Sequence, residues 1–211
     1  MMLCIRKVGK AIIIFTLIIM VSIFPKELAA KSKSQIKVSG PELAWALAHP
    51  FIAIKAKAIS KRAITVTDSI EKLGLLKDRS GGQLDAFKHA FWMALLSQEF
   101  KSRKIYKLGL AHEKYNFKQS KKGKGGGDQA ASEMDLWNNK VGIDIGYVNR
   151  NISEDSLISI VINEIKRGAM RIIKKNKEGI SLDIHGQLID NSTLKTWGNK
   201  RCLVPSDYKY N

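Results

Sequence analysis

Residues 83–100 read QLDAFKHAFWMALLSQEF, and this stretch decides the fold. On a helix of 3.6 residues per turn, Leu84, Phe87, Phe91, Trp92, Leu95, Leu96 and Phe100 fall on all sides. Ala86, Ala90 and Ala94 fill most of what remains. A helix that is apolar all round has to be covered by other helices, so it belongs in the middle of a bundle. Asp85, Lys88 and His89 stand out against that background. Burying such groups without partners costs several kcal/mol each, so they have to meet others of their kind.

Downstream, Ser102 to Phe117 is predicted to form a second helix, with Ile105, Leu108, Gly109 and His112 on one stripe. Lys118 to Gly127 holds four lysines and four glycines and no apolar residue. It is expected to be a mobile loop lying over or beside the site, since it joins two polar motifs. Asp128 is a good N-cap for a helix reaching about Val148. Met134, Trp137, Val141 and Ile145 form its apolar face. Asp135, Asn139, Gly142 and Gly146 form a polar, small one, where the glycines let another backbone approach. Ser153 is expected to cap a further amphipathic helix through Ile173. From Gly179 the pattern turns strand-like, with His185-Gly186 as a hairpin turn.

Upstream, Pro41 opens a short helix through Ala48, and Pro50 starts a longer one towards Ser69. Leu73 to Gly82 reads as a loop. The chain is therefore mainly α. One helical-bundle domain is expected over residues 41–178, with its motif core at 80–148, and an irregular or β-hairpin extension at 179–211.

Residues 1–30 have the order of a signal peptide. Arg6, Lys7 and Lys10 precede an apolar run from Ala11 to Phe24, Pro25 breaks it, and Leu28-Ala29-Ala30 offers small residues at a cleavage point. An uncleaved N-terminal membrane anchor is the alternative, although the run is short of the roughly 20 residues a span needs. Residues 31–40 read as a linker. Export to a periplasmic or extracellular location is expected. Cleavage takes away four bases (Arg6, Lys7, Lys10, Lys26) and one acid (Glu27), moving the net charge from +17 to +14. Cys202 is then the single cysteine, so no internal disulfide holds the fold. The lysine excess favours an anionic envelope polymer or lipid surface as partner, and a solvated basic surface is the plainer reading. Nucleic acid is disfavoured, because charge is present without a recognised binding motif.

Asp85 and His89 are four apart and share a helical face. A carboxylate there can accept from one imidazole nitrogen and leave the other as base or metal ligand. Lys88 is placed to hold an anionic group. His112-Glu113 and Asp135-Trp137-Asn138-Asn139 add an imidazole, two carboxylates and two amides. Asp85, His89, Glu113, Asp135 and Asn139 are the candidate catalytic residues, with Lys88, His112 and Asn138 as substrate contacts. These groups are expected to meet in one cleft. Cofactors are not fixed by the sequence. A divalent metal fits the residue types, but the spacing matches no standard zinc pattern.

The stretches Asp85-Ala86-Phe87-Lys88-His89-Ala90-Phe91-Trp92, Ala111-His112-Glu113 and Met134 to Gly142 resemble an uncharacterised bacterial domain. It carries D-A-x-R/K-H-A-x-W, A-H-E and M-D-L-x-N-N-x-x-G in that order, and occurs in secreted proteins and at the ends of Rhs-type toxin chains. The resemblance covers about a third of the chain, residues 80–148. Lys88 stands where arginine is more usual, which lessens bidentate anion binding, and Trp137 where histidine is common. What it implies concerns the site residues more than any reaction. The two readings that follow are an exported hydrolase acting on an anionic or envelope substrate, with water as nucleophile, and a non-catalytic envelope protein whose polar network sets helix packing.

Overall fold

The computed structural model describes residues 39–122, 127–190 and 192–209. The leader and most of the linker, residues 1–38, lie outside them. The described residues form helices α1 (Gly40–Ala48), α2 (Pro50–Lys72), α3 (Gln83–Glu99), α4 (Ser102–Lys121), α5 (Gln129–Val148) and α6 (Glu154–Lys166). Two three-residue strands follow, β1 (Arg171–Ile173) and β2 (Leu203–Pro205), paired antiparallel with Arg171 opposite Pro205. The protein is mainly helical, as the sequence predicts. No described helix is long and apolar enough to cross a membrane.

α3 is the central helix. Its Leu84, Ala86, Phe87, Ala90, Phe91, Met93, Ala94 and Leu96 are completely buried. It packs against α5 above all, and also against α2 and α6. The α5 glycines make the closest of these contacts. A β-carbon on Gly142 would stand 2.7 Å from Ala90 Cα, and one on Gly146 2.8 Å from Ala94 Cα, so the two backbones touch. Ser39 caps α1 in a reciprocal box with Glu42, and the Asp128 side chain caps α5 through the Ala131 N–H at 2.8 Å.

Three expectations need correction. The helix after Ser153 stops at Lys166 rather than Ile173. Gly168 sits at φ +80° and closes a Schellman turn, with Ala169 N donating to Glu164 O and Gly168 N to Ile165 O. The apolar residues beyond it, Ile172 and Ile173, become β1 instead. The basic segment from Lys118 is helical to Lys121, and Gly127 lies at the cleft; residues 123–126 of the expected loop lie outside the described residues. Trp137 is 45% exposed rather than in the core. Its Nε1 donates to Ala169 O at 2.9 Å, and the Arg171 guanidinium covers its ring at 4.7 Å. The His185-Gly186 turn is as expected, with Leu182 bridged to Leu188.

Candidate functional site

Three helices bring the polar motifs together. α3 contributes Asp85, Lys88 and His89, α4 contributes His112 and Glu113, and α5 contributes Asp135. All six line one open cleft of about 280 Å³, which Arg79, Asn116, Ser132 and Arg201 help to wall. The close α3–α5 approach sets this geometry, because Asp135 and Gly142 are two turns apart on one face of α5.

At the floor, His89 Nε2 lies 3.3 Å from Asp135 Oδ1 and 3.7 Å from Asp85 Oδ1. Neither approach makes a hydrogen bond: Asp135 Oδ1 is buried without a partner, and Asp85 Oδ1 stands too far away; the other ring nitrogen, His89 Nδ1, is buried without a partner as well. The expectation that Asp85 orients the imidazole by accepting from it is therefore not met. Asp85 is held from other directions, by Lys88 Nζ at 2.5 Å and by the Gly81 N–H at 2.9 Å. Asp135 is the nearer carboxylate to the ring.

Asn139 is buried within hydrogen-bonding reach of the His89 ring, one turn beyond Asp135, but neither of its amide atoms makes a well-aligned hydrogen bond. It does not line the cleft. Asn138 does not belong to the site either. Its Oδ1 accepts from Arg171 N at 2.8 Å and its Nδ2 donates to Arg171 O at 3.0 Å, so its amide is consumed in tying α5 to β1. The expected substrate contact is a packing tie.

The floor groups titrate apart. Burial pushes the Asp135 carboxyl well above the ordinary carboxylate range, and the nearby Asp85 and Glu113 charges add to it. Burial also pushes the Asp85 carboxyl up, but Lys88, His89 and the Gly81 N–H together outweigh that and leave it below its ordinary value. His89 is pushed down to about 3, by burial first and then by the Lys88 charge. The floor therefore sets a neutral imidazole between one carboxyl whose pKa is lowered and one whose pKa is raised well above the ordinary range.

The other imidazole behaves in the opposite way. His112 Nδ1 meets Glu42 Oε1 at 2.7 Å. Burial opposes its charge, but Glu42 and the neighbouring Glu113 raise its pKa overall. Burial likewise raises Glu42, and the His112 contact and the Ser39 cap lower it to about 2. Glu113 is buried and accepts from Ser132 Oγ at 2.7 Å.

Sequence reasoning missed Glu42, Arg79 and Arg201. Glu42 belongs to the capping box at the start of α1 and reaches the site through His112. Arg201 arrives from the C-terminal segment, where it and Asn199 pair with the buried Asp128 at the start of α5. No local pattern signals such a return.

A family described as a domain of unknown function, DUF6973, matches residues 43–169. The chain belongs to the DUF6973 family. No curated protein and no solved structure matches it. The DUF6973 span includes Asp85, Lys88, His89, His112, Glu113 and Asp135. Glu42 and Arg201 lie outside it, so one supporting residue at each end of the chain comes from beyond the matched span.

Proposed function

We propose that this DUF6973 protein is an exported hydrolase that cleaves a phosphoester in the Asp85–His89–Asp135 cleft. One observation carries the reading: two carboxyl groups and a neutral imidazole converge at the floor of an open cleft that Arg79, Lys88 and Arg201 also line. These cations now rest on carboxylates, Arg79 on Asp68 and Glu71, Lys88 on Asp85 and Arg201 on Asp128, and an anionic ester entering the cleft would share them, while a polar floor suits an attacking water. The water oxygen bonds to phosphorus as the bond from phosphorus to the leaving oxygen breaks. Glu113 takes the proton of the water. His112, whose pKa Glu42 and Glu113 raise, gives one to the leaving oxygen. Proton exchange with solvent then resets both groups.

The order of residues 1–30, together with the resemblance to domains of secreted and Rhs-type toxin chains, supports export. The mature chain should begin close to Lys31. Intact mass of protein recovered from its native compartment measures this, and a full-length mass would turn the leader into an anchor. For the reaction, purified protein should turn over a nitrophenyl phosphodiester. Lys88→Met should raise KM about 10-fold with a smaller change in kcat, because a half-exposed lysine binds the anion in ground and transition states alike. Absence of turnover with divalent cations supplied, on mono- and diesters both, would defeat the reading.

A further inference from the structure

The buried side-chain nitrogen and oxygen atoms without hydrogen-bond partners among the described residues are six, and four of them are at one place. They are His89 Nδ1, Asp135 Oδ1 and both amide atoms of Asn139. Native interiors leave few such atoms, and a cluster of them calls for a missing partner. Beside them Asp85, His89 and Asp135 each offer a ligand atom, all within 4.8 Å of one another.

We propose that Asp85, His89 and Asp135 hold one divalent transition-metal ion, and that Asn139 fixes the His89 ring from its other nitrogen. The distances suit such an ion. Nitrogen and oxygen donors around a zinc-like cation at about 2.1 Å stand roughly 3.0–3.4 Å apart. His89 Nε2 is already 3.3 Å from Asp135 Oδ1 and 3.7 Å from Asp85 Oδ1. A small rotation of either carboxylate closes the set. With Nε2 on the metal, the proton of His89 sits on Nδ1, where the Asn139 carbonyl oxygen can accept it. Three of the four atoms are then satisfied: His89 Nδ1 and Asn139 Oδ1 by each other, and Asp135 Oδ1 by the ion.

The donor set narrows the ion. One imidazole with two carboxylates and no thiolate suits zinc or manganese better than calcium, which takes oxygen ligands alone. Three protein ligands leave further positions open, as catalytic sites do. Lys88 Nζ now supplies the positive charge at Asp85 Oδ1. Its side chain is 39% exposed, so it can swing out to the cleft when the ion arrives, where it meets the substrate anion. The inference rests on the hydrolase reading for the purpose of the cleft, but binding is measured without turnover.

The test uses tag-free mature protein stripped with a chelator and titrated calorimetrically with Zn²⁺ and with Mn²⁺. One ion per chain is expected for at least one metal, with a raised melting temperature. Asp135→Asn and Asp85→Asn, both nearly isosteric and checked for folding by their melts, should each weaken binding at least about 100-fold. Asn139→Ala should weaken it roughly 10–100-fold, as loss of an outer-shell partner does. No saturable binding of either metal, or wild-type affinity in both Asn variants, overturns the proposal. Tight, variant-sensitive binding without hydrolysis would uphold the metal site and defeat the hydrolase reading. Hydrolysis that survives the chelator would do the reverse.

Discussion

Replacing Gly142 with alanine is expected to cost at least about 3 kcal/mol of stability, near or above the upper end of ordinary overpacking. On an unencumbered helix the same change adds about 1 kcal/mol, because alanine has the better helix propensity. Here the sign reverses. The new β-carbon would stand 2.7 Å from Ala90 Cα and 2.8 Å from Ala90 C. These are backbone atoms of a rigid, buried helix and cannot rotate away. α3 and α5 would have to separate along their shared face, which also carries Asp135 towards His89. Melting temperature should fall by roughly 6–12 °C for a chain of this size. Gly40→Ala is the control, since nothing lies within 4 Å of a β-carbon there and the melt should barely move. If Gly142→Ala melts at or above wild type, the two backbones are not in contact, and the geometry of the cleft has to be drawn again.

That contact is legible in the sequence. Gly142 and Gly146 share a face with Asp135 and Asn139, and two small residues one turn apart on a polar face imply a close partner. The all-round apolar pattern of residues 83–100 likewise named the central helix, and Asp128 named the start of α5. What failed to show was structure decided by distant residues. The apolar periodicity runs through Gly168 towards Ile173, and only the left-handed backbone at Gly168 ends the helix. Once it ends, Asn138 can take both polar groups of Arg171, and Ile172 and Ile173 are buried as a strand. Trp137 reads as core because its face is apolar, but it stands half exposed at the surface, where the Arg171 side chain covers part of its ring. Arg201 reaches the cleft, and Glu42 reaches His112 at its wall, from opposite ends of the described chain, and contacts of that span leave no local period to read. Spacing gave Asp85 and His89 one face; that Lys88, rather than His89, takes the Asp85 carboxylate depends on side-chain reach that spacing does not encode.

Asp135→Asn should separate function from folding most clearly. In the metal-free protein at neutral pH, this variant should melt roughly 2–8 °C above wild type, in keeping with the gain of about 1–2 kcal/mol that relief of a strained functional group can give. The cause is the environment of the carboxyl group. Burial first, and then Asp85 and Glu113, disfavour its charge, so its pKa in the folded chain stands well above the ordinary 3.8. The pH dependence follows from linkage. Below 3.8 the group is protonated in both the folded and the unfolded chain and costs nothing. As pH rises above that value the unfolded chain gives up its proton while the folded chain keeps it, so stability falls until the folded pKa is passed. Asparagine has no proton to give up, so the advantage of the variant should be absent in acid and grow towards neutrality. Chelated samples melted across that range by calorimetry would trace this divergence. The same variant should lose phosphoester hydrolysis by at least about 100-fold, since a floor that positions and activates water supplies that much. A carboxylate whose role is to hold helices together predicts the opposite. Its replacement would lower the melting temperature at neutral pH, and any activity would fall only with the folded fraction. Either result at pH 7 decides between a working site and a packing network, because the two assign Asp135→Asn opposite signs.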